Sequence, residues 1–331
     1  MRIFNFDPAD YRDAYSRDGW IHIEEGMDPE FLTLLQEFAR TSLEETRLEG
    51  FAIKGKKEQS IFEFPDAVAY PDELYDVVSE TCGLDRATIT LSERHIQAYE
   101  SDAAREPAPH KDRLGSQVSV GFSIDIPEES RLVLYPSDAR AINPFNSSKT
   151  FSASLRDADR PDVALLTASE VVIADRPGDV VMFPGSTTWH LRRNSARAVN
   201  LYVKFNDFGC DPLGEDPNTD AIRSRTLKLL ASTNGVTPAL VPRISRRLDS
   251  ISRDYTRNGW QEVLWAKVWG EEPFPLTETQ FDLVRAIDGM SDWNAVTAAV
   301  GNGRPQKEVA AELAGLAAAG VIDLDEAAKE E

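Results

Sequence analysis

The sequence predicts an α+β, mainly β fold: a double-sheet jelly roll backed by helices, with a small helical module after it. Three observations lead there. Between residues 88 and 205, short runs of β-forming residues alternate with Pro, Gly and Asn turns, as in sandwiches and barrels. Helical patterns with start and stop signals flank that stretch. After residue 270 the chain breaks into short capped helices of its own.

Taken in order, the chain opens with a helical stretch, then a turn at Asp18-Gly19 and a short strand, Trp20-Ile21-His22-Ile23. Asp28 stands as an N-cap with Pro29 at the first helical position. Phe31, Leu34, Leu35 and Phe38 then mark one apolar helix face. Residues 43–70 read as polar and irregular, with a basic turn at Lys54-Gly55-Lys56-Lys57 suited to a pocket entrance. The expected strands cover 88–92, 94–99, 117–124, 131–135, 170–173, 179–183 and 198–205. Beyond Asn206 the reading is helical over 221–231 and 243–270, with Trp260, Trp265 and Trp269 as packing residues.

The last segment starts with a capping box, Thr277-Glu278-Thr279-Gln280. Gly289 ends that helix, Ser291 caps a second, and a third runs from about Pro305 to Ala319 into a strand at Val321-Ile322-Asp323-Leu324. Three helices and a strand resemble a winged-helix module. The expected domains are thus a jelly roll over 1–215, a helical connector over 216–270 and the module over 271–331.

Charge narrows the function classes. The formal net charge of −20 repels phosphate backbones, so nucleic acid is not the expected partner. From Leu276 onward eleven Asp/Glu face four Arg/Lys, which also argues against DNA binding by the module. Residues 221–260 invert the balance, with eight Arg/Lys against Asp249 and Asp254. A solvated or acid-facing surface is the plainer reading, and a dock for an acidic partner the sharper one. No apolar signal core opens the chain and no run approaches the ~20 apolar residues of a membrane span. With only Cys82 and Cys210, read as buried thiols, a cytoplasmic location is expected.

Four histidines occur, and two of them sit in a pattern with a carboxylate. His110-Lys111-Asp112 is followed by Gly178-Asp179, an apolar strand, Pro184-Gly185 and then Trp189-His190. On a strand, residues i and i+2 point the same way, so His110 and Asp112 can face one metal while Lys111 points elsewhere. Two imidazoles and one carboxylate form the facial triad of non-heme Fe(II) oxygenases. Each member alone has a plainer account: His110 and Asp112 as an exposed pair after Pro107 and Pro109, His190 as a core histidine beside Trp189. Arg197 opens the last strand, in a row with Val199, Leu201, Val203 and Phe205 that is expected to face the core. A planar guanidinium there suits a buried dicarboxylate. Arg192 and Arg193 fall in the expected turn. Gln97 and Tyr99 share a strand face with His95; packing and ligand contact account for that pair equally well. His22 and His95 read as structural.

Over about residues 15–206 the sequence resembles the Fe(II)/2-oxoglutarate-dependent dioxygenases, and within them the phytanoyl-CoA dioxygenase-like group. The resemblance rests on Asp18-Gly19-Trp20-Ile21-His22-Ile23 with Met27-Asp28-Pro29-Glu30-Phe31-Leu32, on Gln97-Ala98-Tyr99 ahead of His110-Lys111-Asp112, and on Gly178-Asp179, Trp189-His190 and Arg197. It implies a double-stranded β-helix, the cupin-like jelly roll. It further implies that His110, Asp112 and His190 hold Fe(II), and that Arg197 pairs with the distal carboxylate of 2-oxoglutarate. Gln97 and Tyr99 would contact cosubstrate or substrate. The step from His190 to Arg197 is shorter than that group commonly shows. Related halogenases lack the carboxylate, so Asp112 favours hydroxylation or desaturation over halogenation.

The resulting expectation is an O2-using hydroxylase of a small molecule, an amino acid or a specialised-metabolite intermediate, releasing succinate and CO2. A peptide or protein hydroxylase that recognises its substrate through the C-terminal module is the second reading, with the module as a homodimer contact a further one. A non-catalytic jelly-roll interaction protein is the third.

Overall fold

The computed structural model describes residues 1–41, 57–137, 140–232, 240–301 and 303–326. Two compact units divide the chain, Met1–Cys210 and Asp211–Glu331. The basic turn at 54–57 lies largely outside the described residues.

The first unit runs α1 (Ala9–Asp18), β1 (Ile21–Ile23), α2 (Pro29–Thr41), β2 (Lys57–Ile61), α3 (Tyr70–Cys82), β3 (Thr90–Tyr99), β4 (Val118–Asp125), β5 (Arg131–Tyr135), α4 (Ser148–Ser154), α5 (Pro161–Ala164), β6 (Val171–Ile173), β7 (Val180–Phe183), β8 (Trp189–Arg193) and β9 (Val199–Asn206). Gly19 closes α1 at φ 75°, a left-handed conformation that costs glycine little, and turns the chain into β1. Asp28 accepts from the Glu30 amide at 2.9 Å, holding the start of α2. Phe31 and Leu35 of that helix are buried in the main core.

Six strands form one antiparallel sheet in the order β1-β7-β4-β9-β3-β2, and three form another, β6-β5-β8. The strand period sorts side chains between layers. On β9, Leu201, Val203 and Phe205 join Phe31, Leu74 and Val78 of the helices. Its Tyr202 points the other way, into a cluster with Leu132, Leu134, Ile173, Val181 and Phe183, where the two sheets meet. This face-to-face pairing of antiparallel sheets is the arrangement expected of a jelly roll. Val133, Tyr135, Trp189 and Leu191 cover the far side of the small sheet with Phe151 and Leu165.

Four details differ from the sequence reading. The two expected strands at 88–99 are one, β3, with a register shift between Leu91 and Glu93; the polar residues that suggested a break sit at this irregularity. Residues 57–61, expected to be irregular, pair with β3 as an edge strand. Arg192 and Arg193 lie on β8, not in a turn. Cys82 and Cys210 form no disulfide among the described residues and are half-buried rather than fully enclosed.

His22 on β1 lies with Nε2 2.8 Å from Asp179 Oδ2, and Asp179 also accepts from the Glu25 and Arg176 amides. The hydrogen bond to Asp179 raises the His22 pKa above its ordinary value. Protonated His22 therefore stabilises the fold below about pH 6.5, and this contribution is lost as pH rises through the raised native value. Stability of the wild type relative to His22→Gln, measured by urea unfolding across pH 6 to 9, is expected to fall with pH. A difference that stays constant over that range would contradict the assignment.

The second unit runs α6 (Pro217–Ser232), β10 (Leu240–Ile244), β11 (Leu248–Tyr255), β12 (Glu262–Val268), β13 (Phe274–Leu276), α7 (Glu278–Ala286), α8 (Trp293–Val300), α9 (Gln306–Ala318) and β14 (Ile322–Glu326). The expected helix over 243–270 is instead strand. On β12, Leu264, Ala266 and Val268 are buried at period two and the residues between them are not, and β11 pairs with it along its whole length. The charged residues of β11 suit its exposed face, so neither strand has a helical stripe. Leu264, Ala266 and Val268 share a core with Leu283, Trp293, Val309, Leu313 and Ile322, so 240–268 belongs to the same packed unit as the terminal helices. The capping box forms: Gln280 N donates to Thr277 Oγ1 and Thr277 N to Gln280 Oε1. The second helix is capped by Asp292, one residue later than expected, while Ser291 donates to Asp288. The basic stretch is acid- and carbonyl-facing: Arg225 and Arg243 pair with Asp325, Arg253 with Glu262, and Arg247 donates to the Trp269 carbonyl.

Candidate metal centre

His110 and His190 are brought together by backbone pairing. Each donates its amide to the other's carbonyl, at 2.9 and 3.0 Å, in an isolated β-bridge. On β8 the imidazole of His190 alternates with Trp189 and Leu191, which pack outward, so His190 and Arg192 share the inner face. The Asp112 amide donates to the Gly185 carbonyl at 2.9 Å, and Asn143 Nδ2 donates to the Asp112 carbonyl at 2.8 Å. These bonds fix both ends of the His110–Asp112 segment against the loop before β8.

One ligand atom from each of His110, Asp112 and His190 lies within 4.8 Å of the others. His190 Nδ1 is 2.9 Å from the Thr188 carbonyl. A carbonyl only accepts, so Nδ1 is the donor in this bond, and Nε2 faces Asp112 Oδ1, 3.7 Å away. Asp112 Oδ2 accepts from Ser119 Oγ at 2.9 Å, and Oδ1 pairs with Lys204 Nζ at 3.0 Å. Burial pushes the Asp112 carboxyl up, but Lys204 and the two histidines outweigh it and hold it well below the usual range. Two imidazole nitrogens and an ionised carboxylate fit a divalent transition metal, and the bond to the Thr188 carbonyl fixes the orientation of the His190 ring.

Gly185 sets the space around the carboxylate. A Cβ there would stand 2.5 Å from Asp112 Oδ2 and collide with Ser119 Oγ. Gly185→Ala is therefore expected to displace Asp112, weaken metal binding at least about tenfold and destabilise the fold by about 1–3 kcal/mol. Calorimetric metal titration and urea unfolding check this; unchanged metal affinity would contradict it.

The pocket beside the triad is lined by Gln97, Tyr99, Arg192, Tyr202 and Lys204 together with the three ligands. Gln97 and Tyr99, singled out in the sequence, are thus placed with His110, Asp112 and His190. Burial raises the Tyr99 hydroxyl pKa, and pushes that of Tyr202 up to about 12. Arg197 is not among the lining residues. It is exposed in the turn between β8 and β9, at φ 68°, before β9 begins. The even positions Tyr202 and Lys204 face the site, a parity the sequence alone leaves open.

Arg192 is the guanidinium that reaches this pocket. It is buried and forms a bidentate pair with Asp175, at 3.1 and 2.8 Å, and its Nη2 donates to Asn200. Its Nε is buried without a hydrogen-bond partner among the described residues. Sequence reasoning passed over Arg192 and Lys204. Their signal was parity with His190 and with Tyr202, readable once the strand limits are known.

No family model matches the chain, and no curated protein matches it. Among solved structures it is similar to the non-heme α-ketoglutarate-dependent carbocyclase SnoK from nogalamycin biosynthesis, with 16% identity over 62% of this chain and 87% of that one and a TM-score of 0.46. It is also similar to a Pseudomonas putida prolyl-4-hydroxylase, with 16% identity over 60% and 98% and a TM-score of 0.42. A third is HygX from Streptomyces hygroscopicus, solved with nickel, 2-oxoglutarate and hygromycin B, with 13% identity over 62% and 89% and a TM-score of 0.41. No helix among the described residues is long and apolar enough to cross a membrane.

Proposed function

We propose that the first unit is a non-heme Fe(II)/2-oxoglutarate-dependent dioxygenase that hydroxylates an unactivated C–H bond of a small molecule and releases succinate and CO2. The convergence of His110, Asp112 and His190 ligand atoms within 4.8 Å carries this reading. Iron held there would supply O2 activation coupled to decarboxylation of the cosubstrate. The chain's own part is positional. Thr188 orients His190, Ser119 and Lys204 hold the Asp112 carboxylate, and Gly185 leaves it room. Arg192, with its spare Nε donor, is the cation offered to the distal carboxylate of 2-oxoglutarate, in place of Arg197. Tyr99, Gln97 and Tyr202 add polar contacts for cosubstrate or substrate. Small-molecule substrates suit a pocket lined by polar side chains.

Anaerobic titration of the protein with Fe(II) and 2-oxoglutarate is expected to develop a metal-to-ligand charge-transfer absorption. A substrate screen reading succinate in the presence of ascorbate then identifies the molecule oxidised. Absence of both metal binding and the absorption would favour the non-catalytic jelly-roll reading instead.

A second reading, a peptide or protein substrate recognised by a winged-helix-like second unit, is favoured by one observation. Strand β11 spans eight residues at the edge of the β11-β12-β13 sheet and is largely exposed; such an edge can pair with an extended chain. Truncation after Cys210 separates the readings. Retained turnover of a free small molecule supports the first, and turnover lost from a folded truncation supports the second.

A further inference from the structure

Lys204 contacts the oxygen of Asp112 that faces His190. Its Nζ lies 3.0 Å from Asp112 Oδ1 and 3.3 Å from Glu93 Oε2. Glu93 is itself held by Arg113, whose Nε and Nη2 reach Oε1 at 2.9 and 2.6 Å. Lys204 and Glu93 are buried, and Asp112 nearly so. Histidines aside (His95 Nδ1 also lies 3.4 Å from Glu93 Oε2), the charges in this contact chain balance before any metal arrives: Asp112 and Glu93 against Lys204 and Arg113. The pair Arg192–Asp175 cancels separately. Lys111, buried behind the site against Trp189 and the Ala141 carbonyl, adds a further positive group.

A divalent cation entering such a site brings two positive charges that nothing in it neutralises. It also competes with the Lys204 ammonium for Asp112 Oδ1. Uncompensated charge in a buried environment is costly. A dianion bound beside the metal removes that cost, so each ligand strengthens the other's binding, and by linkage the effect is reciprocal. Glu93 gives Lys204 a second partner when the metal takes Oδ1.

We propose that Lys204 couples the metal to the dianionic cosubstrate: it makes the triad a weak site for a divalent cation alone and a strong one for the cation and dianion together. This rests on the dioxygenase reading. Lys204 acts through Asp112 and is a positioning residue, and Glu93 is its alternative partner.

The test measures the Kd of Mn(II), from the signal of the free ion, with and without saturating 2-oxoglutarate. In the wild type the two values are expected to differ by about tenfold or more, within the usual range of such couplings. Lys204→Met removes the positive charge at similar volume; it should tighten Mn(II) alone by about tenfold and bring the ratio toward one. Glu93→Gln shifts the balance the other way, and should weaken Mn(II) alone and enlarge the ratio. Lys204→Arg keeps the charge and should retain the wild-type ratio. If Lys204→Met does not fold, as judged by circular dichroism, the sign of the Glu93→Gln change decides. Weakening of Mn(II) binding by both Lys204→Met and Glu93→Gln, or no change in the ratio in either, would overturn the coupling while leaving the metal site in place. A wild type that binds no Mn(II) or Fe(II) would instead overturn the dioxygenase reading itself.

Discussion

Asp112→Ala is expected to abolish metal binding and succinate formation. The carboxylate is the only anionic member of the three converging groups, and it is held from two sides, by Ser119 and Lys204. Removing a hydrogen-bond partner of a metal ligand commonly costs about 10–100-fold in affinity, and removing the ligand itself should exceed that. A stability cost accompanies it. Lys204 keeps only Glu93, which already serves Arg113, so a buried ammonium loses half its compensation. About 2 kcal/mol is the expected loss, in the range for charged groups left partly unsatisfied. Urea unfolding of the metal-free protein reads this term separately from the Co(II) or Fe(II) titration. His110→Ala should also end turnover, but with a smaller effect on metal-free stability, because it leaves the buried Lys204–Asp112 pair in place. Full succinate formation by Asp112→Ala would remove the metal centre from consideration.

The contrast between Asp112 and Arg197 shows what was legible in the sequence. The residues that face the site from the short connections are marked by type and spacing. His110, Asp112 and His190 stand out because few histidines occur and because His-x-Asp places two donors on one side of an extended segment. The Thr277 capping box and the Asp28-Pro29 helix start are likewise local, and both form. Strand limits between 88 and 205 were readable to within a few residues for the same reason, since turns and β-formers alternate there. What the sequence could not supply is which face of a central strand is which. Strand β9 is buried on both sides, with all but its first residue enclosed, so its apolar row Leu201, Val203, Phe205 gives no direction. The helices claim that row, and Arg197 lies ahead of the strand, exposed in the turn. The strand β8 was hidden because Arg192 and Arg193 resemble a polar turn. Only its pairing with β5, His190 opposite Leu134 and Arg192 opposite Leu132, shows that Arg192 points inward. In the second unit, Trp260, Trp265 and Trp269 read as packing residues of a helix over 243–270, yet Trp265 lies on β12 and Trp260 in the turn before it, 78% exposed. Periodicity over a strongly charged segment does not discriminate between helix and strand when the apolar residues are sparse.

Arg192→Met is expected to destabilise the protein by about 3–5 kcal/mol, the usual cost of breaking a buried ion pair by removing one partner. Its side chain is 3% exposed and that of Asp175 is fully enclosed, so the abandoned carboxylate cannot reach water. Burial pushes the Asp175 carboxyl up, but Arg192 and the Ser123 hydroxyl at 2.5 Å outweigh it, leaving its pKa below the ordinary value. The pair accordingly stabilises the fold above about pH 4, the ordinary carboxylate range, and that contribution is lost as pH falls through the lowered native value. Loss of cosubstrate binding in the single variant would not by itself assign a role to Arg192, because the site would be disturbed with the fold. The double variant Arg192→Met/Asp175→Leu separates the two effects. Replacing both members of a buried pair by apolar groups of similar volume is often close to neutral, so its urea midpoint should return most of the way to that of the wild type. If Arg192 presents its free Nε edge to the distal carboxylate of 2-oxoglutarate, the stable double variant should still bind 2-oxoglutarate at least about tenfold more weakly, the order expected for a lost charge-assisted hydrogen bond. Its affinity for Mn(II) alone should remain near the wild-type value, since Lys204, Glu93 and Asp112 are untouched. Wild-type affinity for 2-oxoglutarate in that variant would confine Arg192 to holding β8 against Asp175, and would leave Lys204 as the cation nearest the dianion.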